Sequence, residues 1–215
     1  MRPDPVILAF DTSAAHCAAA LLSGGQVVAE AWEPMEKGQA ERLLPLCQEV
    51  MAQAGMGWGD LTALAVGTGP GNFTGVRIAV AAARGLALSL GVPAIGVTRL
   101  EALAHGLPRP LTVVEDARRG EVYVQEFDPD PGEARLSAVA SLGVEGCAPD
   151  VVGSAAEAAA AVTGGRLLVQ PLPLTHAMAL IAAGRLDRPQ PRPAPFYLRG
   201  PDAAPPADPP PVILP

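Results

Sequence analysis

The sequence is short of lysine and of paired histidines, and each shortage narrows the possible chemistry. Lys37 is the only lysine and lies in a predicted loop, so lysine-based catalysis is almost excluded. The three histidines, His16, His105 and His176, lack the His-x-x-x-His spacing by which a helix holds zinc. A metal site would need residues from distant segments to converge. We therefore expect no metal ion in this chain.

Cysteines and long apolar runs are also scarce. Cys17, Cys47 and Cys147 are odd in number and widely spaced, which fits neither a disulfide framework nor a CxxC metal pair. We expect them to be small buried hydrophobes in a reducing compartment. No apolar run approaches the roughly 20 residues of a membrane helix, and no signal-peptide pattern opens the chain. These absences predict a cytoplasmic protein without membrane contact.

Positive charge is limited as well. The 215 residues carry 22 Asp and Glu against 15 Lys and Arg, a net charge of -7. An acidic chain binds nucleic acid poorly by itself, so any RNA contact would need positive charge from another subunit. Hydrophobic residues make up 49% and aromatic residues 4%, so Ala, Val and Leu must form the core. The length suits one large or two small domains.

Periodicity predicts an α/β fold with mixed sheets, because three strands precede a helix–strand–helix–strand succession. We predict an N-terminal domain over residues 1–106, a smaller domain over 107–186 and a tail over 187–215. The tail has 11 prolines in 29 residues and should be extended or partly disordered. The predicted strands cover 6–10, 18–22, 26–32, 61–67, 93–97, 111–115 and 121–127, and the predicted helices cover 38–54, 73–90, 99–105, 155–162 and 174–183.

A glycine-rich turn joins the strand over 61–67 to the helix over 73–90. Its glycines permit positive φ and close backbone approach, and free N–H groups at the helix start could hold an anion. Val76 and Arg77 follow Gly75, where a phosphate loop needs Lys and then Ser or Thr, and the dinucleotide spacing fails too. Candidate nucleotide or complex contacts in this turn are Gly69, Gly71, Asn72, Thr74 and Arg77.

Two other charged positions are candidates for the same role. Asp11 ends the first strand, where its carboxylate could hold a metal ion or a phosphate-bound water, or could bond its own turn through Thr12 and Ser13. Arg118 and Arg119 occupy a predicted hairpin tip, where they could grip a phosphate or a partner carboxylate or could simply be solvated. A Ser-His-Asp or Cys-His device stays open, although no Gly-x-Ser-x-Gly elbow occurs.

The helices over 38–54 and 73–90 are candidates for a partner interface. The second is rich in Ala and Gly, which let helix backbones approach closely. The alternative is that their apolar stripes pack only on the protein's own sheet. The candidate interface residues are Leu43, Leu44, Leu46, Cys47, Val50, Met51, Val76, Ile78, Val80, Ala83, Leu86 and Ala87.

Five segments in order resemble the TsaB (YeaZ) family, and together they span residues 7–199. Each match is modest alone, but the ordered set is specific. The segments are 7–13 (ILAFDTS), 41–45 (ERLLP), 69–78 (GPGNFTGVRI), 116–123 (DARRGEVY) and 195–199 (PFYLR). Family members often carry His where Gln39 stands and Ser where Asn72 stands. The chain also departs from the family pattern beyond Arg199.

The resemblance implies a two-domain actin/Hsp70/sugar-kinase-like (ribonuclease H-like) fold with a reduced second domain. It implies a role in making N6-threonylcarbamoyladenosine at position 37 of tRNA, as a non-catalytic subunit. A TsaD-like subunit would hold the metal and transfer the threonylcarbamoyl group from threonylcarbamoyl-AMP. A TsaE-like ATPase would support turnover, and tRNA would be bound through the complex.

In that role the chain itself would need no cofactor, since ATP or ADP and metal would lie on the partners. The helix pair would bind the TsaD-like subunit as a heterodimer, and the isolated chain could self-pair through the same helices. The alternatives are a glycoprotease-like metallopeptidase and a sugar-kinase-like ATPase.

Overall fold

The computed structural model describes residues 4–145 and 150–200. Two five-stranded mixed sheets dominate this part of the chain. The elements of the first unit are β1 (Ile7–Asp11), β2 (His16–Ser23), β3 (Gln26–Pro34), α1 (Gln39–Gln53), β4 (Ala63–Gly67), α2 (Phe73–Leu90), β5 (Ala94–Val97) and α3 (Arg99–Ala104).

The second unit repeats this succession in a shorter form. Its sheet has the order β8-β7-β6-β9-β10, which matches the order β3-β2-β1-β4-β5 of the first. In each sheet the first strand lies in the centre, antiparallel to the second and parallel to the fourth. The elements are β6 (Leu111–Asp116), β7 (Glu121–Phe127), β8 (Arg135–Ala138), α4 (Leu142–Glu145), β9 (Asp150–Val152), α5 (Ala156–Thr163), β10 (Arg166–Leu167) and α6 (Leu174–Ala183).

The first sheet is covered on both faces, and strand alternation assigns its residues to the two cores. Leu8 and Phe10 of β1 join the core beneath α1 and α2. Ile7 and Ala9 join the core beneath α6. Ala, Val and Leu make up most of both cores, as the scarcity of aromatics predicted. The result is a three-layer unit in which α1 and α2 share one face.

The two units exchange helices. α3 follows the first sheet, but its Leu100 and Ala104 pack in a core of the second sheet with Val113. α6 follows the second sheet, but its Ala177 and Met178 pack on the first. The sequence placed α6 in the domain over 107–186, and this packing corrects that assignment, because the apolar stripe of α6 is buried by β1, β2 and β4.

The described part of the proline-rich tail forms neither helix nor strand, as predicted, and it contacts both units. The N–H of Phe196 donates to the carbonyl of Thr68 at 2.8 Å. Arg84 donates through Nε to the carbonyl of Pro193 at 2.7 Å, and Arg199 forms an ion pair with Glu121 of β7. Residues 187–200 therefore strap α2 and the glycine-rich turn to the second sheet, while the prediction for 201–215 falls outside the described residues.

Candidate partner interface and glycine-rich turn

The twelve candidate interface residues divide between the inside and the outside of the helix pair. Eight are buried in the core beneath α1 and α2, so their side chains contact the protein's own sheet. This corrects the prediction for those eight, because one apolar stripe per helix is needed to cover the sheet. Leu44, Ile78, Leu86 and Ala87 keep exposed area. The eight buried residues are Leu43, Leu46, Cys47, Val50, Met51, Val76, Val80 and Ala83.

The outward surface of α2 is largely apolar, and its exposed polar residues are Thr74, Arg77 and Ser89. Only five residues of this 18-residue helix are buried. We call the remaining apolar side the outer face of α2, and Leu88 on it is 87% exposed. Arg84, which lies between the two sides, is turned towards the carbonyl of Pro193. The outer face consists of Ile78, Ala81, Ala82, Gly85 and Leu88, and of these Ile78 and Ala82 also touch the core at its border.

The same composition gives α2 a formal membrane signal. Within residues 4–145 and 150–200 it is the one helix with the length and apolarity of a membrane crossing, at a mean hydropathy of 1.4. A helix packed in a core passes the same test, and the inner side of α2 lies in the core of the first unit. The membrane signal is therefore weak. It reflects apolar residues on both sides of α2, including the side that the sheet does not cover.

The glycines of the turn allow two segments of this chain to touch. A Cβ on Gly75 would lie 1.9 Å from the carbonyl oxygen of Thr12, and one on Gly71 would lie 2.2 Å from that of Ser13. Thr12 donates through Oγ1 to the carbonyl of Gly75 at 2.6 Å. The N–H of Asn72 donates to the carbonyl of Ser13 at 2.6 Å. Close backbone approach is confirmed, and the approaching group is the loop after β1.

The start of α2 is closed by the chain itself. The Asn72 side chain accepts hydrogen bonds from the N–H groups of Thr74 and Gly75, both at 3.0 Å. The carbonyl of Asn72 accepts from Val76. Gly69 adopts a φ of 90°, and its carbonyl accepts from the N–H of Arg99. The donors that an anion would need are thus mostly bonded already.

Asp11 is bonded within its own turn. Its carboxylate is buried, and Oδ1 accepts from the N–H of Ser13 at 3.0 Å, from Ser13 Oγ at 2.9 Å and from His16 Nε2 at 2.7 Å. Burial raises the pKa of Asp11, but the bond from His16 and the positive charge of Arg99 outweigh it, so the pKa lies below its usual value. Asp11 therefore remains ionised and holds the β1–β2 turn. This is the second of the two roles that the sequence left open for it.

Arg77 connects the turn to the tail, a contact that periodicity could not predict. Its guanidinium lies 3.6 Å from the centroid of the Phe73 ring, and its Nε donates to Tyr197 Oη at 2.9 Å. Two of the motifs that carry the family resemblance therefore meet in one cluster, although they are 120 residues apart in sequence. Arg77 is held in a fixed position at the edge of the helix pair.

Arg118 and Arg119 lie at the tip of the β6–β7 hairpin in an unusual conformation. Their φ angles are 64° and 56°, and Gly120 follows at 75°. The N–H of Arg118 donates to Asp116 Oδ1 at 2.8 Å. Left-handed conformations cost an L-residue roughly 1–2 kcal/mol each, and such strain often marks functional sites. The hairpin thus presents both arginines outward at an energetic cost.

The cysteines and the possible metal ligands do not form a further site among the described residues. Cys17 and Cys47 are buried thiols, and burial raises the pKa of Cys17 to about 11. Cys147 lies outside the described residues. Within residues 4–145 and 150–200, no three His, Cys, Asp or Glu side chains converge as metal ligands.

Comparisons with known proteins agree on one family. A family model described as "TsaD: tRNA N6-adenosine threonylcarbamoyltransferase" matches residues 33–140. The tRNA threonylcarbamoyladenosine biosynthesis protein TsaB of Escherichia coli is 42% identical over 130 residues, or 58% of this chain and 55% of that protein. The matched segment spans just over half the length of that relative. An uncharacterized protein of Mycobacterium tuberculosis is 33% identical over 93% of this chain and 94% of its own length.

Solved structures extend the likeness to the fold. A Pseudomonas aeruginosa protein described as similar to peptidase YEAZ superimposes with a TM-score of 0.75 and 27% identity, covering 91% of this chain and all of that one. Component A of the (R)-2-hydroxyglutaryl-CoA dehydratase of Acidaminococcus fermentans gives 0.57 at 14% identity, over 86% of this chain and all of that one, and shares the fold alone. The predicted two-domain actin/Hsp70/sugar-kinase-like fold, with a reduced second domain, is confirmed. With ordered motifs, topology and relatives in agreement, the chain belongs to the TsaB (YeaZ) family.

Proposed function

We propose that this chain is the non-catalytic subunit of the complex that forms N6-threonylcarbamoyladenosine at position 37 of tRNA. In this proposal it binds a TsaD-like catalytic subunit through the outer sides of α1 and α2. The names of the E. coli relative and of the matching family model support the pathway. One observation carries the partner surface: 14 of the 18 residues of α2 are apolar or glycine, yet only five of the 18 are buried.

Gly85 sharpens the case for a partner on α2. A glycine inside a helix costs roughly 0.5–1 kcal/mol relative to alanine. Apart from its two chain neighbours and the backbone of its own helix, none of the described residues has an atom within 4 Å of the position that its Cβ would take. The chain's own packing therefore gives no reason for a glycine at this position. A second protein whose backbone approaches α2 closely would supply that reason.

α1 contributes the second half of the surface. Leu44 is 41% exposed and lies beside Pro45, within the ERLLP motif. Arg42 of the same motif pairs with Glu33 of β3 and Glu49 of α1, which fixes α1 against the edge of the sheet. Together the two helices offer an apolar centre with a charged rim, the usual arrangement of a stable interface. Such an interface buries about 1,600 Å² in total.

We place the chemistry on the partners. Asp11 and the glycine-rich turn are bonded within the chain, so they have little capacity left for a nucleotide or metal. In the proposal, ATP or ADP and metal bind to the TsaD-like and TsaE-like subunits, and tRNA binds through the complex. The complex would act in the cytoplasm, and the isolated chain would self-pair through the same surface. The hairpin arginines, Arg118 and Arg119, would contact the complex from the second unit.

The test compares two exposed alanines on corresponding helices. Ala81→Arg places a charge in the centre of the proposed interface, whereas Ala161→Arg places it on the exposed side of α5. We expect Ala81→Arg to weaken binding to the cell's TsaD-like protein at least about 100-fold, because a buried unpaired charge costs several kcal/mol. Ala161→Arg should bind normally. Titration calorimetry measures both affinities, and a tRNA modification assay with purified subunits measures the consequence.

Thermal unfolding of both variants is the control for folding. Since both side chains point to solvent, each melting temperature should stay close to that of the parent chain. Equal affinities for Ala81→Arg and the parent protein would refute the proposed surface. Threonylcarbamoyl transfer or peptide cleavage by the chain alone, at an enzymatic rate, would refute the non-catalytic role.

A further inference from the structure

A second surface of the molecule is unlike the rest of this acidic chain. A cavity of about 620 Å³ lies between the C-terminal half of α2, β5 and the first part of the tail. Four arginines line it, out of only 15 Lys and Arg in the whole sequence. Among the described residues no Asp or Glu lines it. The arginines are Arg84, Arg185, Arg188 and Arg192.

Two of these arginines build the wall, and two are available to a ligand. Arg84 is fixed by its bond from Nε to the carbonyl of Pro193. Arg185 is held by Glu101 at 2.7 Å and by the carbonyl of Gly96 at 3.3 Å. Arg188 and Arg192 are exposed, and within residues 4–145 and 150–200 neither guanidinium makes a hydrogen bond or ion pair. The cavity therefore has a fixed frame with two unused cationic groups at its rim.

The floor of the cavity is apolar. Ala87 of α2, Leu186 and prolines of the tail line it above the fully buried Ile95 of β5, and Leu88, which also belongs to the outer face of α2, completes the lining. Its volume lies within the range of about 300–1,000 Å³ that is usual for small-molecule sites. Guanidinium groups bind phosphate oxygens in a bidentate manner. Such a site suits a ligand with a flat apolar part and a compact, multiply charged anionic group.

We propose that this cavity, which we call the arginine cavity, binds the phosphate groups of a nucleotide, with the base lying on the apolar floor. Convergence of the arginines on one small cavity favours a phosphate over a peptide, whose carboxylates are spread along a chain. The nucleotide can be a free mononucleotide or part of an RNA strand. The site lies on the tail side of α2 and does not use Asp11 or the glycine-rich turn. It goes beyond the proposed function, because no partner protein is needed to form it.

The experiment is a calorimetric titration of the full chain with ADP, AMP, adenosine and inorganic phosphate at two salt concentrations. We expect saturable binding of one ADP per chain. Adenosine should bind at least about ten-fold more weakly, because it lacks the charge-assisted hydrogen bonds. Added salt should weaken the binding of ADP more than that of adenosine.

The decisive variant is Arg188→Gln with Arg192→Gln, which removes both available cations without touching the core. It should weaken ADP binding at least about ten-fold. Arg166→Gln, which removes an exposed arginine of β10, should leave it unchanged, and melting temperatures should show that both variants fold. A short RNA oligonucleotide that binds more tightly than ADP, and that loses affinity in the double variant, identifies RNA as the source of the phosphate.

Three results would overturn the inference. They are no saturable binding of either ADP or RNA, equal binding by the double variant, and equally strong competition by a glutamate-rich peptide. None of them bears on the proposed function, because no partner protein enters the titration.

Discussion

The two units of the molecule have the same strand order but very different helices. In the first unit α1 has 15 residues and α2 has 18. In the second unit the corresponding helices, α4 and α5, have four and eight. Both sheets have five strands. The second unit thus shows how little helix is enough to cover one face of such a sheet.

The longer helices of the first unit have more surface than is needed to cover their sheet. The inner sides of α1 and α2 do what α5 does, since they bury the sheet beneath a stripe of small and aliphatic residues. The outer face of α2 is much longer than that of α5, whose two turns expose only Ala158, Ala161 and Val162 among their apolar residues. An apolar surface that the fold does not need is costly to expose unless something covers it. The comparison therefore favours a protein partner on the first unit.

The largest loss of stability is expected from a change that both units allow. In each unit a glycine closely approaches the first strand or the loop that follows it. A Cβ on Gly75 would lie 1.9 Å from the carbonyl oxygen of Thr12, and one on Gly153 would lie 2.3 Å from that of Val114. We expect either change to alanine to destabilise the protein by about 3 kcal/mol, because backbone atoms must move apart. Urea unfolding midpoints measure the loss.

Gly85→Ala is the matched control on the same helix. It has open space around its Cβ position, so the isolated chain should become more stable by about 0.5–1 kcal/mol. If alanine lowers the free energy of unfolding at position 75 and raises it at position 85, the fold requires the first glycine but not the second. Equal destabilisation at both positions would end that distinction and weaken the case for the outer face.

A smaller effect is expected at the start of the helices. α2 begins with the Asn72 cap, whereas α5 begins with Ala155, which has no side-chain cap. Asn72→Ala should therefore cost about 1 kcal/mol, and Asn72→Ser, the residue common in the family, should cost much less. Thermal unfolding of the two variants measures the difference. Equal losses would mean that Asn72 acts through something other than its cap.

The smallest effect on stability is expected at the hairpin of the second unit. The double substitution Arg118→Asn with Arg119→Asn introduces asparagine, which tolerates positive φ better than arginine does. The melting temperature should therefore stay the same or rise slightly. If the strained arginines contact the complex, tRNA modification by the reconstituted subunits should nevertheless fall several-fold. Full modification activity in this double variant would make the tip an ordinary solvated turn.

Most of the first unit could be predicted from sequence, and less of the second. All eight elements from β1 to β5 and α1 to α3 were predicted, and most of them are long or strongly periodic, although β5 has only four residues. α1 starts at Gln39 and continues through Pro45. β8, β9, β10 and α4, which have two to four residues each, were missed because none of them stands out as an apolar run between clear turn signals. Their existence depends on pairing with β6 and β7 rather than on local pattern.

In the candidate site, too, local features could be predicted from sequence and long-range contacts could not. Sequence located the two long helices and the glycine-rich turn, because composition and glycine placement are local properties. It could not separate Leu44 from Leu43, since two apolar neighbours on one helix look alike until the sheet covers one of them. It also could not bring Tyr197 to Arg77 or Arg192 to Arg84, since nothing in a linear pattern encodes contacts across more than 100 residues.

The amino-acid order alone determined the α/β class, the family and the long apolar helix pair, because alternation, helical period and motif order are written along the chain. Only the folded molecule decided which helix faces are buried, that the glycine-rich turn closes on the loop after β1, and that four scattered arginines surround one cavity. These outcomes depend on which surfaces meet when two sheets exchange helices, and burial on that scale is a property of the whole packed structure.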